Sequence, residues 1–473
     1  MLMSGTDNHR AGLGTMAESI APNQQGKPGY EGYLRADVAA LPERLQAAGY
    51  NTLFSGKWHL GLSAEQDPHA RGFEHSFALL QGGHNHFGLG LVAERPSGPS
   101  MGATYTEDGR VLSSLPADFY SSDYFATKLI AQLQGAQAED GGKKPFFAYL
   151  AFTAPHWPLQ APAEDIARYK GRYDQGYEVL RQERLKRQEK LGVLPAGTAA
   201  HAPELPNDWA SLTPEQKQAA ARDMEIYAAM VDRLDQNVGR VIAELKRSGE
   251  YDDTVILFLA DNGAEGLDGA TTGKALLGPR IASADNSLAN RGKASSYVTY
   301  GTGWAQAATA PSWKIKGYAT EGGTRTVSFV SGKGLAKPGS VGTAYLSVAD
   351  IAPTLLDLAG APATGETFGG KPVQPVTGKS WVSYLSGKTD HVYGAQDSIG
   401  TELFGSRAIR QGDWKITDLG DGKWRLFNVA KDPGEITDLA ASQPDQLKKL
   451  ADAWDSYAAN VGVVLPTTAQ YRP

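Results

Sequence analysis

No cysteine occurs among the 473 residues. Disulfides, thiolate-ligated metals and a cysteine nucleophile are thereby excluded from the chain as it stands, while cytoplasmic and periplasmic locations both stay open. No apolar run approaches the roughly 18 residues that a membrane-spanning helix needs. The residues after Met1 are small, polar and charged, unlike a signal peptide. There is no basic block either: the net charge is −6, so neither nucleic acid nor an anionic membrane surface is indicated as a partner. Internal repeats are also missing. What is present is ordinary for a soluble globular protein, with 41% hydrophobic and 21% charged residues, in a chain long enough for one large domain and a smaller one.

The stretch Val255–Gly266, VILFLADNGAEG, is the most informative. Its apolar, β-branched and aromatic residues predict a strand buried on both faces. The strand stops at Asp261-Asn262-Gly263, which alone would be a simple Asx-Gly turn. A carboxylate and a carboxamide side by side are also oxygen ligands of the kind a hard divalent cation accepts. Two earlier segments end in the same way. A short helix from Pro42 to Gly49 precedes the strand Thr52–Ser55, which delivers Lys57 and His59 in GKWH. Being two apart, they would point to one side of an extended backbone. A helix Ser122–Leu133 precedes the strand Pro145–Phe152, which leads to His156 between two prolines. Open parallel sheets bind ligands at the carboxyl edge of their strands, and three polar loops are expected on that edge.

The remaining segments frame these. The first 35 residues are Gly-rich and polar, with no pattern for a strand or long helix. Arg168–Trp209 reads as a polar, helix-leaning surface excursion. Thr213-Pro-Glu-Gln is a strong helix start, and the apolar positions Met224, Tyr227, Ala228, Val231, Leu234, Val238, Val241, Ile242 and Leu245 predict one buried face up to the cap at Gly249. Leu267–Gln306 has the composition of a long active-site loop rather than an element. Asp350–Gly360 reads as a capped amphipathic helix. Beyond about residue 390, antiparallel strands at Arg407–Thr417 and Lys423–Val429 and a helix at Gln443–Ala459 predict a small α+β module.

If Lys57, His59, His156, Lys316, Asp261 and Asn262 converge, the site combines two ammonium groups, two imidazoles and a cation site. Such a set suits a tetrahedral oxyanion ester, a phosphate or a sulfate: positive charge neutralises the non-bridging oxygens and an imidazolium protonates the leaving oxygen. Pattern alone nominates no nucleophile, and Asp261 with Asn262 supplies only part of the roughly six oxygens Ca²⁺ takes. Lys314 competes with Lys316 for one role. Trp58 and Trp157 could pack or line an aryl pocket, and His84 and His86 could ligate a metal or sit at a pocket rim.

The motifs MLMSGTDNHRAGLGTMAE, GKWHLG, APHWPLQAP, DNGAEG, ATAPSWKIKGYATEGG, DIAPTLLDLAG, RAIRQGDWK and DPGEITDLA, in this order, resemble a bacterial arylsulfatase of the type I, formylglycine-dependent sulfatase family within the alkaline-phosphatase-like superfamily. The resemblance implies an α/β fold, with a large, mixed and mostly parallel sheet flanked by helices. It implies a catalytic domain over residues 1–390 and an antiparallel-sheet-plus-helix subdomain over 391–473. Asp261 and Asn262 would be Ca²⁺ ligands, with Asp261 also assisting the formylglycine hydrate. Lys57 and Lys316 would bind sulfate oxygens, His156 would protonate the leaving group, and His59 would deprotonate the hemiacetal. The matched family's C/S-x-P-x-R motif, which carries formylglycine, lies just upstream of the stretch matching Met1–Gly5. The resemblance therefore implies a chain truncated after its nucleophile, also lacking two metal ligands. The expected partner is a small-molecule sulfate ester acted on by a monomer. The alternatives are a phosphonate or phosphate monoester hydrolase and a non-catalytic anion-binding remnant.

Overall fold

The computed structural model describes residues 1–98, 102–205, 208–268, 274–361, 365 and 367–468. Its central strand is β1 (Asn51–Lys57), entered from the helix Leu41–Ala47, where the Glu43 carboxylate accepts the Ala40 N–H at 2.6 Å. Gly49 then takes a φ of 89°, which lets the chain reverse into the strand. On one side β1 pairs in parallel with β2 (His75–Leu79), and β3 (Tyr105–Glu107) and β4 (Arg110–Val111) extend the sheet antiparallel. On the other side it pairs in parallel with β5 (Phe146–Ala151). The order is therefore β4-β3-β2-β1-β5. Gly56 makes the β1–β5 approach possible, because a Cβ there would lie 2.0 Å from the Ala151 carbonyl oxygen.

Helices cover both faces, as a parallel sheet requires. Leu53 of β1 packs with Leu129, Leu133 and Leu245 from the helices Ser121–Asp140 and Pro214–Ser248. Phe54 and Trp58 face the opposite way, toward Phe73, Leu41, Leu45 and Leu356. The long helix begins as its sequence predicts: Thr213 Oγ1 accepts the Gln216 N–H at 3.3 Å, and Gln216 returns a bond to the Thr213 N–H at 2.9 Å. Gly249 closes it in the left-handed conformation.

Further along, β6 (Ile256–Leu259) pairs antiparallel with β7 (Ser328–Ser331), and β8 (Thr367–Phe368) with β9 (Lys371–Pro372). A four-stranded antiparallel sheet follows, of β10 (Ser398–Leu403), β11 (Ser406–Gln411), β12 (Trp414–Asp418) and β13 (Arg425–Asn428). The helix Pro444–Val461 packs Leu450 and Trp454 onto Ile409, Ile416 and Leu426 of that sheet.

Three expectations need correction. The strand at Val255 does not join the main sheet. β5 and β6 each carry a ladder on one edge only among the described residues, and both line a cleft of about 4040 Å³. Every residue of the two strands is accordingly half-buried rather than buried. Leu267–Gln306 is not all loop: it contains the helices Lys274–Ser283 and Gly301–Thr309, with residues 269–273 outside the described set. Tertiary burial of Leu277, Trp304, Ala305 and Ala307 overrides their Gly- and Ser-rich surroundings. Val231 departs from the buried face of the long helix and is exposed. The polar first 35 residues form no strand, as expected, yet they run through the interior, with Ala11, Ala21 and Leu34 buried.

One buried contact explains that interior course. The His9 ring lies between Glu402 of β10 at 2.9 Å and Asp7 at 3.3 Å, and the Tyr457 hydroxyl donates to Asp7 at 2.8 Å. Burial alone would lower the imidazole. Hydrogen bonds and charge from the two carboxylates outweigh it and push His9 up to about 9. The folded value lies above the ordinary 6.5, so the stabilisation is complete below that pH and is lost as pH rises through about 9. Chemical denaturation at pH 7 and pH 10 should therefore differ by about 3 kcal/mol from this group. His9→Ala should cost about 3–5 kcal/mol at pH 7, because it strands two buried carboxylates, and should flatten the pH difference.

Candidate active site

Lys57 ends β1, and its ammonium is desolvated in the cleft that β5 and β6 line. Burial lowers its pKa, the nearby Lys316 adds to the fall, and Asp261, Glu18 and Glu265 oppose it. That set of neighbours gathers the strand-end residues in one place. His156, on the loop after β5, feels both Lys316 and Lys57. Tyr149 of β5 feels Asp261, beyond β6, and burial with that carboxylate pushes its phenol up to about 12.

Backbone contacts build the Asp261 side. The Gly263 N–H donates to the Gly323 carbonyl at 2.9 Å, and the Lys316 N–H to the Ala264 carbonyl at 3.0 Å. A Cβ on Gly263 would fall 1.8 Å from the Gly322 oxygen, so the turn after β6 can seat only with glycine there. The Lys316 ammonium is thereby held near the turn, where it pairs with Glu265 at 2.9 Å. Lys314, the competing residue, has φ 61° and turns away to Glu204. The structure thus separates the two lysines.

His156 is fixed from several directions. Its Nδ1–H donates to the Trp157 carbonyl at 2.8 Å, and its own carbonyl accepts from His86 Nε2 at 3.1 Å. His86 also meets the Ser121 hydroxyl at 2.7 Å, and burial lowers it to about 4, so it is a neutral brace behind the loop. His84 contacts the Tyr105 hydroxyl at 3.3 Å. Neither belongs to a metal cluster: among the described residues no group of three or more His, Asp or Glu is arranged so that it could hold a metal ion. Trp58 is buried, and its indole N–H donates to the Gln66 carbonyl, which makes it a packing residue. The Trp157 ring stays beside His156, 4.3 Å between centroids.

His59 departs from the expected geometry. β1 ends at Lys57, and His59 has φ 55° rather than an extended backbone. Its ring reaches Glu18, at 3.2 Å and 3.4 Å from the two carboxylate oxygens. Sequence reasoning missed Glu18 and Glu265. Glu265 could have been found, lying four residues beyond Asp261 in a loop already singled out. Glu18 offers no local signal.

The donors suit a divalent cation in kind. Asn262 turns its Nδ2 onto the Gly263 carbonyl at 2.9 Å, which leaves its side-chain oxygen for a ligand beside the Asp261 carboxylate. Two such residues provide part of a shell that takes about six oxygens or more. A formylglycine derived from cysteine does not fit the residues present, since the chain holds no cysteine.

A family model described as Sulfatase matches residues 1–361. The chain is 46% identical over 476 residues to an uncharacterized sulfatase of Schizosaccharomyces pombe, covering 98% of this chain and 85% of that relative. It is 39% identical over 386 residues to an arylsulfatase of Klebsiella aerogenes, covering 80% of each. Among solved structures it resembles Ps i-CgsB, crystallised with k-i-k-neocarrahexaose, at a TM-score of 0.64 and 21% identity, covering 97% of this chain and 80% of that one. At that identity the likeness speaks for the fold alone.

Burial, then Lys316 and Lys57, hold His156 well below 6.5, so the free site carries a neutral imidazole near pH 7. A bound oxyanion offsets both ammonium groups and raises the imidazole. Calorimetric titration with inorganic sulfate near pH 6, in buffers of different ionisation enthalpy, should therefore show net proton uptake. His156→Ala should abolish the uptake, and Lys57→Met should weaken sulfate binding about tenfold or more.

Proposed function

The chain belongs to the sulfatase family, and from that premise we propose that it hydrolyses aryl-type sulfate esters to a phenol or alcohol and inorganic sulfate. The observation that carries this reading is the convergence of Lys57, Lys316 and His156 with Asp261 at one end of the cleft. Two ammonium groups can take the non-bridging sulfate oxygens, where charge concentrates as the ester bond breaks. His156, charged once the anion is bound, donates its proton to the departing ester oxygen. Water is the attacking group: its oxygen forms the new bond to sulfur as the ester S–O bond breaks, and His59 accepts the proton that this water gives up. Asp261 and Asn262 would hold a divalent cation such as Ca²⁺, which supplies further positive charge against the sulfate oxygens when bound. The likeness to an arylsulfatase supports the sulfate reading over the phosphate and phosphonate alternative.

Turnover of 4-nitrophenyl sulfate, 4-nitrophenyl phosphate and a 4-nitrophenyl phosphonate, with Ca²⁺ present, tests the proposal. The sulfate should be favoured by about tenfold or more in kcat/KM. His156→Ala should lower kcat by about 10²–10⁴-fold, with the larger loss on esters of poorer leaving groups. A preference for the phosphonate would establish the alternative hydrolase. Sulfate binding without turnover of any ester would establish an anion-binding protein.

A further inference from the structure

His59 has little freedom of its own. Its backbone sits at φ 55° with the amide bound to the Leu80 carbonyl at 3.1 Å. Its ring lies against Gly82, where a Cβ would come within 2.7 Å of Cε1. What these contacts leave undecided is which ring nitrogen carries the proton. Glu18 reaches Nε2 with both carboxylate oxygens. An ionised carboxylate can only accept, so this contact requires a proton on Nε2, and in the neutral ring the Nδ1 lone pair is then bare. Burial works against the Glu18 charge, but the hydrogen bond from His59, with Lys57 nearby, holds the carboxylate below its usual range.

We propose that Glu18 is the positioning residue of His59: it fixes the Nε2–H tautomer, so that Nδ1 faces its task as a proton acceptor. The inference rests on the reading of His59 as that acceptor. Glu18 lies in a single 3-10 turn, Ala17–Ser19. The supporting group therefore comes from the irregular N-terminal segment, not from the strand that carries the histidine.

The test uses the full chain labelled with ¹⁵N-histidine and long-range ¹H–¹⁵N correlation spectra. The His59 resonance should report a protonated Nε2 and a bare Nδ1. Glu18→Ala should lose that fixed tautomer, whereas Glu18→Gln, whose amide oxygen can still accept, should retain it. With 4-nitrophenyl sulfate, Glu18→Ala should lower kcat about 10–100-fold and leave KM within about twofold, with Glu18→Gln between it and the parent. An unchanged His59 tautomer in Glu18→Ala, or a loss confined to KM or to thermal stability, would overturn the proposal. His59→Ala separates the two levels of argument. If that variant turns over normally, the reading of the site fails and the inference falls with it. If it is inert while Glu18→Ala is fully active, only the inference falls. Where no ester is turned over, the tautomer measurement decides alone.

Discussion

Two ammonium groups and an imidazole gathered in one poorly solvated corner repel each other, and much of the structure around Lys57, Lys316 and His156 answers that repulsion. Like charges held close in a poorly solvated place repel by up to a few kcal/mol, a sizeable part of a domain's net stability. The free site avoids the full penalty in two ways. His156 stays neutral, and Lys316 is tied to Glu265. Asp261 and Glu18 offset part of what burial takes from Lys57. The arrangement persists because the backbone gives it no room to relax. Gly56 locks β1 against β5, and Gly263 locks the turn after β6 against Gly322 and Gly323. The corner is thus poised for a ligand of opposite charge.

The far end of the chain holds that corner from behind. Lys415 of β12 is buried between Glu321 at 2.8 Å and Glu435 at 3.1 Å. Glu321 opens the short turn that carries Gly322 and Gly323, the seat of the Asp261 loop. The Glu435 carboxylate also accepts the Glu321 N–H at 2.7 Å. An ion triad of this kind contributes little net stability once desolvation is counted, but losing one member is expensive. Its effect is to fix position. Together with the His9 contact to Glu402, it makes the antiparallel sheet a support for the site.

How much of this could be read in the sequence depends on whether the signal is local. The strand ends at Lys57, His156 and Asp261 were legible because an apolar run followed by Gly, Pro or Asn marks a strand's carboxyl edge. The Thr213 cap and the antiparallel strands after residue 390 were legible for the same reason. The order of eight motifs made the family legible as well. Long-range facts were not. β6 reads as a doubly buried strand, but its composition cannot tell which strand it pairs with, and it pairs with β7. Trp304 is the largest buried residue in a segment of loop composition, and only its packing partners make that segment helical. Glu18 is forty-one positions from His59, with no periodic element to relate the two.

The same distinction explains why His59 departs from simple strand geometry. Alternation along an extended backbone would have aimed its ring with Lys57, and a left-handed backbone at a non-glycine residue costs of order 1 kcal/mol or more. Such strain persists only where surrounding contacts over-determine it. Here three do: the amide bond to Leu80, the ring face on Gly82 and the Glu18 carboxylate. The first two fix where the ring lies, and neither depends on charge. Only the third distinguishes the two ring nitrogens, so the feature least visible in the sequence carries the chemical information at this position.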